Sequence, residues 1–199
     1  MTINSLFYNL QREEIEDWTG RGLADLEDKL ARTPLPPLQT FLDDPLRVLR
    51  TIRFTARFGL RVEPDIRLAA VEEPVRKALL TKVSRERISK EYTLMMKGNN
   101  PFDALALLHE LQQLPLLLRV PADFSDRTEA GYEAAVRLRE VQLSGEEATK
   151  PARTFLGITA ALMSAYRTEE VRLPKKKNST PLIDLICSES LKVIHRIAI

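Results

Sequence analysis

The chain has 199 residues, 44% of them hydrophobic, enough apolar material for a core in one or two compact units. A formal net charge of +2 is too small to mark a nucleic-acid binder, so any such contact must come from local clustering. A single cysteine, Cys187, excludes an internal disulfide, and His109 and His195 stand far apart with no cysteine nearby, which argues against a zinc site or a histidine-based triad.

Strand-like INSLFYNL and QREEIEDW, with Gln11, Arg12 and Glu13 between them, predict a β-hairpin at the N-terminus. A two-stranded hairpin is marginal alone, and residues 1–35 offer no third long strand, so the hairpin reads as the edge of a larger sheet. Gly20 and Gly22 punctuate a turn, Leu23–Leu30 reads as a short helix, and RTPLPP (Arg32–Pro37) as an extended connector. From Asp44 onward the chain reads as helical, with candidates at 44–58, 64–80, 84–97, 101–113, 128–143, 150–166 and 180–195. Ser84 and Asn100-Pro101 look like helix starts, Gly59 and Gly98 like stops, and Lys175–Lys177 sit in a basic loop. The fold class expected is mainly α: a short N-terminal hairpin, then a helical neck, then a helical body. No apolar run approaches the ~20 residues that cross a bilayer. The first ten residues lack the basic region of a signal peptide, so an intracellular protein without a membrane partner is expected.

The segment DDPLRVLRTIRFTARFG (Asp43–Gly59) is the most informative. Aspartate followed by proline is a strong helix start, and Leu46, Val48, Leu49, Ile52, Phe54 and Phe58 are expected to bury most of the helix. Arg47, Arg50 and Arg53 follow at three-residue steps. A buried helix tolerates such a row only if something pairs with it, which points to an anionic or base-like ligand. Asp44 and Arg47 share a face, placing an acceptor beside a fork of donors. Cytosine and adenine each offer an amino donor beside a ring-nitrogen acceptor and fit that pair, whereas uracil and guanine meet it with the wrong groups twice. Each buried polar group left unpaired costs roughly 1–3 kcal/mol, enough to reject a wrong base tens- to hundreds-fold. Spacing alone favours a bland reading, with Asp44 as helix cap and Arg47 as its salt-bridge partner. Arg50 and Arg53 fit a triphosphate, and Arg57 and Arg61 prolong the basic character, or the whole row is a solvated stripe. Arg87 and Glu91, after Arg85, suggest an i,i+4 ion pair on the following helix. Lys175–Lys177 fit either an RNA backbone or a solvated loop. Asp17, Asp25 and Asp28 form no D-x-D pair on a strand edge, so no metal site is expected from this chain.

Taken in order, TINSLFYNL, EDWTGRGLADL, RTPLPP, FLDDPLRVLRTIRFTARFGL and SRERISKEYTLMMKG resemble the class II tRNA nucleotidyltransferases, the CCA-adding enzymes, most of all the eukaryotic ones. Bacterial poly(A) polymerases are the nearest neighbours in that superfamily. The resemblance is dense from Thr2 to about Pro115 and generic beyond. It implies transfer of CMP and AMP from CTP and ATP to a tRNA 3′ end, with Mg2+ held by a head domain upstream of this chain. The family's template motif falls on Asp43, Asp44 and Arg47, and its further nucleotide contacts on Arg50 and Arg53. Thr2 and Asn4 match the end of a head motif, Asp17 and Gly20 the motif linking head to neck, and Arg87 and Glu91 the neck motif supporting the template helix. The implied organisation is a head remnant at 1–35, a neck at 36–120 and an incomplete tRNA-binding body at 121–199, with no catalytic carboxylates in this chain. A noncatalytic RNA-binding protein descended from the enzyme is the alternative. Cytoplasm, nucleus and mitochondrion all fit, and the oligomeric state is left open.

Overall fold

The computed structural model describes residues 1–124, 126–143, 151–171 and 179–187. The expected hairpin is present: β1 (Leu6–Asn9) pairs antiparallel with β2 (Glu14–Asp17), Leu6 opposite Asp17. Its Phe7, Tyr8 and Ile15, with Leu10 and Trp18 beside it, are exposed. A 3-10 turn at Thr2–Asn4 precedes it and α1 (Gly22–Glu27) follows. Gly22 is required there, because a Cβ would lie 2.8 Å from Leu6 Cδ2 and 3.0 Å from the Thr2 carbonyl.

Several elements were not legible in advance. β3 (Leu30–Ala31) pairs in parallel with β4 (Arg61–Val62), and strands of two residues carry no periodicity to read. Pro37, taken as the end of an extended connector, opens α2 (Pro37–Asp43), since proline is well suited to the first turn of a helix. α3 spans Leu46–Phe58 and ends at Gly59 with φ +61°, as the stop signal indicated. The single helix expected at 64–80 is two, α4 (Pro64–Val71) and α5 (Glu73–Lys82). Pro74 lacks the N–H that would continue α4, and Glu72 is extended at the break. α6 (Arg85–Met96) starts on Ser84, whose hydroxyl accepts the Arg87 N–H. α7 (Pro101–Glu110) stops short of the expected end, and a further helix, α8 (Leu114–Leu118), follows. Arg85 reaches across to the Leu116 carbonyl at 3.4 Å and to the Leu117 carbonyl at the C-terminus of α8. Burial, with Arg119 nearby, lowers its guanidinium pKa to about 10.

α9 (Arg127–Leu143) and α10 (Pro151–Ser164) form the most extensively packed helix pair. Beyond them come β5 (Glu170–Val171), β6 (Thr180–Pro181) and α11 (Leu182–Leu185) in place of the start of the expected 180–195 helix. Lys175–Lys177 and the rest of that expected helix, from residue 188, lie outside the described residues. One contiguous apolar core runs from Phe41 on α2 through Leu49 and Ile52 on α3, Met96 on α6 and Ile158 on α10 to Ile186. Two buried hydroxyl contacts peg it: Tyr92 Oη to Thr159 Oγ1 at 3.0 Å and Tyr166 Oη to Thr128 Oγ1 at 2.9 Å. Burial raises both tyrosine pKa values.

Candidate functional site

α3 is the scaffold of the site. It buries Leu46, Val48, Leu49, Thr51, Ile52, Thr55 and Ala56 against neighbours that include α6 and α7. Phe54 is half-buried, and Phe58, expected inside, is 48% exposed. Three residues advance a helix by about 300°, so each successive arginine of the row is displaced about 60° around the axis. The row therefore wraps the helix and does not form one face. Arg47 and Arg50, with Thr51 and Phe54 below them, line a cleft of about 310 Å³. Arg53 and Arg57 line a second cleft on another side of α3.

The opposite wall of the first cleft is built from the N-terminal segment, through Asn4 and Ser5, and from the connector Thr33–Leu35. That wall is tethered. The Thr2 N–H donates to the Arg32 carbonyl at 2.9 Å, and Thr2 Oγ1 donates to Asp25 at 2.7 Å. Asp25, only 2% exposed, meets Arg32 at 3.1 Å, and Arg32 in turn meets Glu63 at 2.7 Å. Thr2 is thus a buried strut, while Asn4 is exposed on the cleft.

Asp44 immediately precedes α3. Its Oδ1 accepts the Leu46 N–H at 3.3 Å, and its Oδ2 faces Arg87 of α6 at 3.4 Å. That bond to Leu46 stands one residue ahead of the helix cap, which falls on Pro45, and the ionic partner of Asp44 is Arg87 and not Arg47. Arg47 donates to the Thr40 carbonyl at 3.3 Å and leaves most of its guanidinium exposed. The expected Arg87–Glu91 pair within α6 is likewise replaced by bonds between helices. Glu91 takes Arg53 at 2.6 Å, with the two side chains 10% and 13% exposed. Two side chains one turn apart on α6 therefore grip α3 and its start at two points, Asp44 and Arg53. Asp43 is exposed at the end of α2.

Asp17 stands away from the cleft. It accepts from the Thr19 hydroxyl at 2.7 Å and from the Leu23 N–H at 3.2 Å, bonds that hold its carboxyl below the usual carboxylate range. Gly20, φ +64°, completes that turn. Among the described residues, no three His, Cys, Asp or Glu side chains are grouped to hold a metal ion. Sequence reasoning had no signal for Thr40, Thr51 or Phe54 in the cleft; only the i,i+4 spacing of Phe54 from Arg50 hinted at a shared face.

No family model matches the chain. The mitochondrial CCA tRNA nucleotidyltransferase of Saccharomyces cerevisiae is 48% identical over 107 residues, covering 54% of this chain and 20% of that protein. Nucleotidyltransferase lcsQ of Purpureocillium lilacinum is 33% identical over 98% of this chain and 37% of its own length. A solved tRNA-processing enzyme with CTP superposes on 82% of this chain and 44% of that one, with a TM-score of 0.58 at 22% identity, and so shares the fold. The chain spans about a fifth of the yeast relative. With the ordered motifs borne on α3 and α6, these likenesses show that the chain belongs to the superfamily of class II tRNA nucleotidyltransferases and poly(A) polymerases.

Proposed function

We propose that this chain is the base-selecting and RNA-binding part of an enzyme that adds CMP and AMP, from CTP and ATP, to tRNA 3′ ends within the cell. The observation carrying this reading is the first cleft, lined by Arg47 and Arg50, with Asp44, held by Arg87, about one turn before Arg47. An amino group of cytosine or adenine would donate to Asp44, which has lone pairs beyond those taken by Leu46 and Arg87. The adjacent ring nitrogen would accept from Arg47. Arg50, exposed on the same cleft, would meet phosphate, with Asn4 on the facing wall. Arg53, paired with Glu91, would serve the nucleotide by keeping α3 seated on α6, with Arg87 steadying Asp44.

In this reading residues 1–35 belong to the head, 36–120 to the neck and 121–199 to the tRNA-binding body. Asp17 and Gly20 shape the head-to-neck turn, and the exposed apolar hairpin faces further head structure. Mg2+ would supply charge neutralisation at the transferring phosphate. The described residues of this chain do not group to hold it.

Calorimetric titration of the chain with each ribonucleoside triphosphate tests the proposal. CTP and ATP should bind at least about tenfold more tightly than UTP and GTP, the consequence of one or more mismatched buried polar groups at roughly 1–3 kcal/mol each. Arg47→Ala should erase the difference. UTP held as tightly as CTP by the unaltered chain would overturn the template role.

A further inference from the structure

We propose that the second cleft is a phosphate site for single-stranded RNA, gripped by Arg57 and Lys97, with Phe58 receiving a base. RNA as the source of the phosphate rests on the function proposed above; the geometry of the site does not.

The cleft has a volume of about 260 Å³ and lies between the second half of α3 and the turn joining α6 to α7. Three cations, Arg53, Arg57 and Lys97, line it, and no carboxylate does. Arg53 spends its charge on Glu91. Among the described residues neither Arg57 nor Lys97 has a carboxylate within ion-pairing distance. Like charges facing one small cleft repel unless an anion joins them. Both side chains are nonetheless placed by contacts that leave their charge intact: the Arg57 guanidinium lies 5.2 Å from the Phe58 ring centre, and Lys97 Nζ lies 5.4 Å from that of Phe155 on α10. The far wall is fixed as well. The Asn100 amide donates to the Ala56 carbonyl at 2.8 Å, fastening the α6–α7 turn to α3.

Phe58 separates a nucleic-acid phosphate from a free one. Its ring is 48% exposed beside Arg57, in an aromatic pair with Phe54 whose planes lie within 3° of parallel, centres 6.0 Å apart. A half-exposed aromatic ring next to a cationic groove is the combination that holds single strands, the groove tracking the backbone and the ring taking a base. Inorganic phosphate has no use for the ring. Phe54 also borders the first cleft, so a strand on this site would pass close to the nucleotide proposed there.

Fluorescence anisotropy of a short labelled single-stranded RNA across a salt series tests the site on the whole chain. The double variant Arg57→Gln, Lys97→Gln should weaken binding about tenfold and flatten the log affinity against log salt slope by about 1.4, for two lost phosphate contacts at about 0.7 each. Phe58→Leu should weaken RNA binding about fivefold or more with the slope unchanged. All three side chains are exposed, and an unchanged thermal midpoint confirms the fold. RNA affinity and slope unaffected by the double variant would overturn the proposal, including the case where inorganic phosphate alone is lost. CTP titration of the same variant should match the unaltered chain. CTP selectivity failing while the RNA slope still responds would sink the nucleotide reading and leave this site standing.

Discussion

Arg50 and Arg53 differ by three positions on one helix, yet one side chain is free in a cleft and the other is closed into an ion pair. Arg53 and Glu91 meet at 2.6 Å with little solvent around either, so removing one strands the other in a poorly hydrated place. Breaking such a pair costs about 3–5 kcal/mol, whereas exposed substitutions away from such features change stability by about 0.5 kcal/mol or less. Glu91→Ala should therefore lower the unfolding free energy in urea by about 3 kcal/mol, and adding Arg53→Met should recover much of that loss. Arg50→Ala should leave stability nearly untouched and weaken triphosphate binding. A small effect of Glu91→Ala would mean the pair is well hydrated and that α6 does not clamp α3.

Between elements, α9 and α10 approach each other closely at Gly131. A Cβ on Gly131 would sit 2.6 Å from the Leu162 carbonyl oxygen, a backbone atom that cannot swing aside. Helix propensity alone favours Gly131→Ala by about 1 kcal/mol. Overpacking costs roughly 1–3 kcal/mol and should reverse the sign, giving a lower thermal midpoint. Nothing in GYEAAV discloses this, because the partner lies 31 positions further along the chain. Elements whose cause is local were readable: the hairpin from its alternation, α6 from Ser84, the end of α3 from Gly59. Pro74 is a readable break inside 64–80 that the apolar spacing masks, and Pro37, expected inside an extended connector, opens α2 in the fold.

Across the molecule, the site was legible as a list of residues and illegible as an arrangement. Asp44, Arg47, Arg50 and Arg53 were singled out by spacing, and all four lie on α3 or at its start. Arg47 and Arg50 line one cleft and Arg53 another, a division that follows from helical rotation, and Arg87 and Glu91 find their partners only once α6 packs on α3. The second cleft needed a turn more than 35 residues from Arg57 to fold back against the same helix.

The two-residue ladder of β3 and β4 has a dynamic consequence. The first cleft's outer wall continues from β3, which the two-residue ladder, the Arg61 N–H to Lys29 bond at 2.7 Å, the Glu63 N–H to Ala31 bond at 3.2 Å and the Arg32–Glu63 ion pair tie to the loop after α3. So short a ladder makes this seam the place for the jaw to hinge. Deuterium uptake at Arg61 and Glu63 should accordingly be quick in the free chain and slow markedly once CTP bridges the gap; uptake indifferent to nucleotide would mean the jaw is rigid.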